Sequence, residues 1–113
     1  MHGMSARWLR SFLQFLFGMA CLAAASVQAA PGLTGTYYNN STLTAPSVLV
    51  RTDSTVNFNW GTGSPSSAVN ADGFSVRWTG YVRVAVSGNY QFQTNSDDGV
   101  RLSVNGSQII NNW

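Results

Sequence analysis

Two acidic residues stand side by side in Asn95-Ser96-Asp97-Asp98-Gly99, between two alternating apolar runs. They are the residues of this chain best suited to chemistry. The sequence has no Lys or Glu, and its single His and single Cys, His2 and Cys21, lie in the amino-terminal segment. The rest of the chain must therefore work with oxygen ligands, amides, aromatic faces and a few arginines. Zinc chemistry lacks its His and Cys ligands, and a serine nucleophile lacks a His or Lys base. Glycosidic cleavage needs two carboxyls straddling a bond, ~5–5.5 Å apart for retention or ~6.5–9.5 Å for inversion. The acids are Asp53, Asp72, Asp97 and Asp98, and nothing marks Asp53 and Asp72 as such a pair. The chain is not expected to be an enzyme.

The amino terminus reads as an address. Arg7 and Arg10 form a positive region, Ser11 to Ser26 is apolar, and Val27 with Ala29 suits cleavage before Ala30. The apolar run is short for a span of ~20 residues and is interrupted by Gln14. Residues 1–29 are thus expected to be a signal peptide, with an uncleaved anchor as the other reading. Gly18, three before Cys21, does not suit a lipidation signal, so Cys21 reads as apolar filler. The expected destination is outside the cytoplasm, secreted or at the cell surface (periplasmic or extracellular), with no membrane insertion after cleavage.

Removing that segment changes the charge. Arg51, Arg77, Arg83 and Arg101 then balance the four aspartates, and the formal +2 of the whole chain belongs to its start. A nucleic-acid binder needs a clustered basic face, and none is present. With Cys21 gone, stability must come from a small core or a metal.

Val, Thr, Ser, Asn, Gly and aromatics dominate residues 30–113, which favours β-structure. From Phe74 to Val86 the even positions are Phe, Val, Trp, Gly, Val, Val and Val, while the odd ones are mostly polar. That period of two predicts a strand with one buried face, bent or bulged at Gly80. Ser87-Gly88 predicts a hairpin turn into a strand with Tyr90 and Phe92 inward. Asn105-Gly106 predicts a type I′ turn, with Leu102 facing Ile109. Leu33 to Tyr38, Val48 to Arg51 and Val56 to Trp60 are shorter strands. Gly61 to Ser67 is a loop, and no helix is expected.

Five segments resemble the PA14 domain family in order and spacing. They are GLTGTYYNN from Gly32, VNFNWGTGSP from Val56, DGFSVRWTGYV from Asp72, GNYQFQTNSDDGVRLSVNG from Gly88 and IINNW from Ile109. The resemblance implies an all-β antiparallel sandwich or barrel, commonly a carbohydrate-binding module. PA14 domains continue past the IINNW-like segment, so residues 30–113 are expected to be the front of a domain truncated at its C-terminal side.

The resemblance also gives the acidic pair a role. In the family's sugar-binding adhesins the matching Asp-Asp peptide bond is cis, and both carboxylates hold one calcium ion. Carried onto this chain, Asp97 and Asp98 become the expected metal and glycan-binding residues, with calcium as cofactor and a glycan as partner. Ca²⁺ takes roughly 6–8 oxygens, so vicinal sugar hydroxyls can complete its shell. The residues alone also fit a polar turn with Asp side chains bonded to local amides. Asn95 reads as part of the strand-end turn rather than a ligand, and Asn111 and Asn112 are left outside the site.

Other residues read as structural. Trp78 and Tyr90 fall on buried parity, one of Tyr37 and Tyr38 must be core, and Tyr81 is the better surface aromatic. Arg77, Arg83 and Arg101 read as a solvated face, with Asp53 or Asp72 as possible ion-pair partners. Asn39, Asn40 and Asn105 head glycosylation triplets. The expected function is an extracytoplasmic, calcium-assisted carbohydrate-binding module for adhesion or substrate targeting. The alternatives are a structural or protein-interaction module without a sugar ligand, and an accessory domain of a secreted glycoside hydrolase.

Overall fold

The computed structural model describes residues 31–113 throughout and the backbone course of 2–9 and 12–17. The described residues form strands and turns, without helix, in nine strands. These are β1 (His2–Leu9), β2 (Phe12–Phe17), β3 (Leu33–Tyr38), β4 (Leu49–Asp53), β5 (Asn57–Asn59), β6 (Ser75–Val82), β7 (Phe92–Asp97), β8 (Val100–Val104) and β9 (Ser107–Asn112). A six-stranded sheet runs β4-β3-β6-β1-β8-β9, and a three-stranded sheet runs β5-β2-β7. Each pairing is antiparallel. The fold is all-β, as composition and periodicity require.

The alternation that runs from Phe74 into β6 buries Phe74, Val76 and Trp78 and exposes Arg77, Thr79 and Tyr81. Tyr37 from β3, Val100 and Leu102 from β8, and the loop residues Val56 and Val69 complete one core. Phe58 and Phe92 of the smaller sheet pack against it. Phe58 stacks on Trp60 at 4.8 Å and on Trp78 at 5.8 Å, with both ring pairs nearly parallel. These aromatics join the two sheets, and large buried rings supply much of the apolar area that a small domain has available.

Four expectations change. Ser75 lies on the polar parity but is fully buried, because its hydroxyl donates to the Asn40 carbonyl at 2.6 Å and accepts from the Leu43 amide at 3.1 Å. Ser87-Gly88 does not close a hairpin, since β6 and β7 belong to different sheets. Gly80 does not interrupt β6. A Cβ there would come within 2.6 Å of the Leu33 side chain, so the glycine serves a close approach to β3. The Asn105-Gly106 turn forms as expected, with φ of 50° and 78°, but Leu102 faces Ile110. A register shift between Leu102 and Ser103 leaves Ile109 outside the pair and half exposed.

The segment expected to be a signal peptide supplies β1 and β2, which fill the gaps between β6 and β8 and between β5 and β7. The cleavage site before Ala30 and the reading of Cys21 lie outside the described residues.

Candidate functional site

Asp98 and Gly99 form the corner between the sheets: β7 ends at Asp97 in one and β8 begins at Val100 in the other. Strand alternation holds through Asp97, with Gln93, Asn95 and Asp97 exposed. It stops at Asp98, whose φ of 70° is left-handed. Asp tolerates that region better than most side chains because its short polar group bonds locally. The Ser96 hydroxyl donates to the Asp98 carbonyl at 3.1 Å and steadies the corner.

Gly99 fixes what lies beside it. A Cβ there would meet Trp113 Cα at 3.0 Å and the Asn112 carbonyl oxygen at 3.2 Å. The corner backbone is therefore pressed against the end of β9. The register agrees, with Val100 opposite Asn112 and Arg101 opposite Asn111. Arg101 Nε donates to Asn111 Oδ1 at 3.2 Å, and its guanidinium lies 5.1 Å from the centre of the Trp113 ring. Trp113 is 40% exposed, so the residue whose backbone adjoins the corner is an accessible aromatic, and Asp97 and Asp98 are exposed too.

This neighbourhood extends the sequence reading and corrects it. Asp97 and Asp98 are both at the surface, as expected. Their peptide bond is trans; the one cis bond among the described residues is Ala45–Pro46. Asn95 is not in a turn but within β7, on the same exposed face as Asp97. The place of Trp113 beside the corner follows from the pairing of β9 with β8, which local pattern does not reveal.

Oxygen is the donor type available at the corner, and that chemistry suits calcium rather than zinc. Among the described residues no group of three or more His, Cys, Asp or Glu is placed to hold a metal. A cation bound by Asp97 and Asp98 would need most of its ligands from carbonyls, water or a ligand's hydroxyls.

The other acidic centre has a different character. Asp53 is 6% exposed. Its Oδ2 accepts from the Tyr37 hydroxyl and from Trp78 Nε1, both at 2.6 Å, and its Oδ1 accepts from Arg51 Nε at 2.6 Å. Arg51 also donates to the Tyr37 hydroxyl at 2.8 Å and to the Pro65 carbonyl at 3.2 Å. Burial pushes the Tyr37 phenol well above its usual range, and the Asp53 carboxylate adds to the rise. Every Asp53 oxygen has a partner, so this cluster ties β3, β4, β6 and the 61–67 loop together. Arg77, Arg83 and Arg101 do not serve Asp53; Arg51 does.

The aromatics divide between core and surface, with Tyr81 exposed. Tyr37 and Trp78 are fully buried, and Trp60 packs edge-on against Phe74 at 5.5 Å. Two glycosylation triplets are tied down. The Asn40 amide donates to the Thr44 carbonyl and accepts from the Thr42 and Thr44 amides. Asn39 accepts from the Asn70 amide at 2.7 Å.

The model of the PA14 domain family matches residues 29–113. The chain belongs to the PA14 domain family. A stretch of 82 residues is 45% identical to the anti-sigma-I factor RsgI3 of Acetivibrio thermocellus, covering 73% of this chain and 13% of that protein. This PA14 chain thus spans a small part of its curated relative. No solved structure matches it.

Proposed function

We propose that this PA14 domain is an extracytoplasmic carbohydrate-binding module whose ligand meets the Asp97–Asp98–Gly99 corner. The carrying observation is the close packing of Gly99 on the Asn112 carbonyl and the Trp113 backbone, which brings the corner with its two exposed aspartates against the end of β9, where Trp113 is partly exposed. Carboxylates and carbonyls hydrogen-bond sugar hydroxyls, and an aromatic face packs on the apolar side of a sugar ring. Membership of the PA14 family supports this reading. Asp97 and Asp98 would hold calcium; when bound, it supplies a positive charge with open positions for vicinal hydroxyls. In this reading residues 1–29 are a signal peptide, the chain binds rather than catalyses, and it serves adhesion or substrate targeting.

Two observations favour a second reading. The trans Asp97–Asp98 bond and the Ser96–Asp98 hydrogen bond also suit a corner that only orders the chain between two sheets. A glycan array probed with the purified chain separates the two. The module reading expects glycan signal that is lost in EDTA and lost again in Asp98→Ala. Absence of any glycan signal from a folded chain leaves the structural reading in place.

A further inference from the structure

The outer face of β6 carries a row of side chains that the acidic corner does not use. Arg77, Thr79 and Tyr81 alternate outward along the strand, and the alternation of exposed and covered residues runs on past its end to Arg83. All four are exposed, Tyr81 by 70%. Alternate residues of a strand lie ~7 Å apart, so the two arginines bracket the tyrosine within roughly 20 Å. Neither arginine has an ion pair among the described residues. On β3 and β4 the partners of this row are threonines and a valine, without an acid. Thr34 stands opposite Thr79, with Thr52 opposite Thr34; Thr36 stands opposite Arg77, with Val50 beyond it. Thr34, Val50 and Thr52 are exposed and Thr36 is half-buried. Neighbouring strands lie ~4.8 Å apart, so Thr52, Thr34 and Thr79 form one line of threonines across the sheet. The acid of β4, Asp53, is turned to the core and engaged by Tyr37, Trp78 and Arg51.

We propose that this outer row is a second binding face, for an acidic polysaccharide that carries carboxylates on its sugar rings. Charge complementarity selects the occupant: the two exposed guanidiniums bind carboxylates through charge-assisted, bidentate hydrogen bonds. Between them Tyr81 packs on the apolar side of a sugar ring, and the threonine hydroxyls bond to ring hydroxyls. Two charges in a row are too sparse for a nucleic-acid backbone, which is held by a clustered basic face. An extended peptide is held by an open strand edge, and β6 is paired on both sides. The face needs neither calcium nor the corner, because none of its residues belongs to Asp97–Asp98–Gly99.

Titration of the purified chain with a soluble polyuronate, in EDTA and low salt, tests this. Binding is expected, and it is expected to disappear in molar salt or against the carboxyl-reduced form of the same polymer. Arg77→Gln with Arg83→Gln is expected to weaken it about tenfold, and Tyr81→Ala about fivefold. Arg77→Lys with Arg83→Lys is expected to keep most of it. Asn57→Arg and Gln93→Arg, at exposed positions of the smaller sheet, restore the net charge of the Gln variant and are expected not to restore its binding. All these positions are exposed, so the circular dichroism spectrum is expected to stay that of the parent. Absence of polyuronate binding overturns the proposal, as does equal binding of the carboxyl-reduced polymer. Binding undiminished in the Gln variant overturns it too, and so does recovery through Asn57→Arg and Gln93→Arg, which makes bulk charge the cause. Neutral glycans in calcium report the corner separately, so the loss of one signal is distinguishable from the loss of the other.

Discussion

At the scale of single residues, Asp53 and the pair Asp97–Asp98 show how surroundings divide one side-chain type between two tasks. Asp53 has three donors on two oxygens and is withdrawn from solvent. Asp53→Ala is expected to cost about 3 kcal/mol in urea unfolding, because it strands the Tyr37 hydroxyl, the Trp78 indole and the Arg51 charge. Asp97→Asn, on the exposed corner, is expected to leave stability within about 0.5 kcal/mol of the parent in the same measurement. Tyr37 adds a pH dependence. Its folded-state pKa lies above the ordinary phenol value, so the unfolded chain releases the proton first as pH rises. Stability is therefore fully present below pH ~10 and declines above it. Tyr37→Phe is expected to flatten that alkaline decline in pH-resolved unfolding, while lowering stability at neutral pH. The burial of Trp78 and of one of the Tyr37–Tyr38 pair was legible from parity. The Asp53 network was not, because it joins residues from four separate stretches of chain.

At the scale of elements, local chemistry indicated what each strand is, and long-range pairing decided where it goes. Leu33–Tyr38 is a strand over the span expected, and Asn105-Gly106 makes the turn expected of it. A Cβ at Gly106 would meet nothing within 4 Å, so the requirement there is the positive φ alone. Gly106→Val is expected to cost about 1–2 kcal/mol in chemical denaturation, with the β8–β9 amides losing exchange protection first. Gly35 has the opposite problem. A Cβ there would sit 2.5 Å from Asp53 Oδ2 and 2.9 Å from Trp78 Nε1, so Gly35→Ala is expected to destabilise more than Gly80→Ala, where only a Leu33 methyl must yield. Period two distinguishes the inner face from the outer one but does not say which sheet a strand joins. For that reason Ser87-Gly88 reads as a hairpin in the sequence, although β6 and β7 part into different sheets. The same limit hid the shift at Leu102–Ser103, where one extra residue moves Ile109 out of the pair.

At the scale of the whole molecule, the two sheets share one core, and the acidic corner is where the chain crosses between them. Five motifs in order were enough to reveal the PA14 family, since together they specify the core aromatics, the turns and the corner. The identity of the corner residues was equally legible. The nearness of Trp113 was not, because it depends on how β9 seats against Gly99; the trans linkage is the ordinary state of a non-proline peptide bond, against the cis form that the resemblance implied. Trp113→Ala is expected to weaken glycan binding about tenfold while leaving the fold intact, as truncation of one exposed stacking ring should. The most direct measurement is glycan binding by the purified chain in calcium, after EDTA, and after calcium is restored. The account expects signal, loss and recovery, with Asp98→Ala silent throughout. Binding that persists undiminished in EDTA and in Asp98→Ala would contradict it.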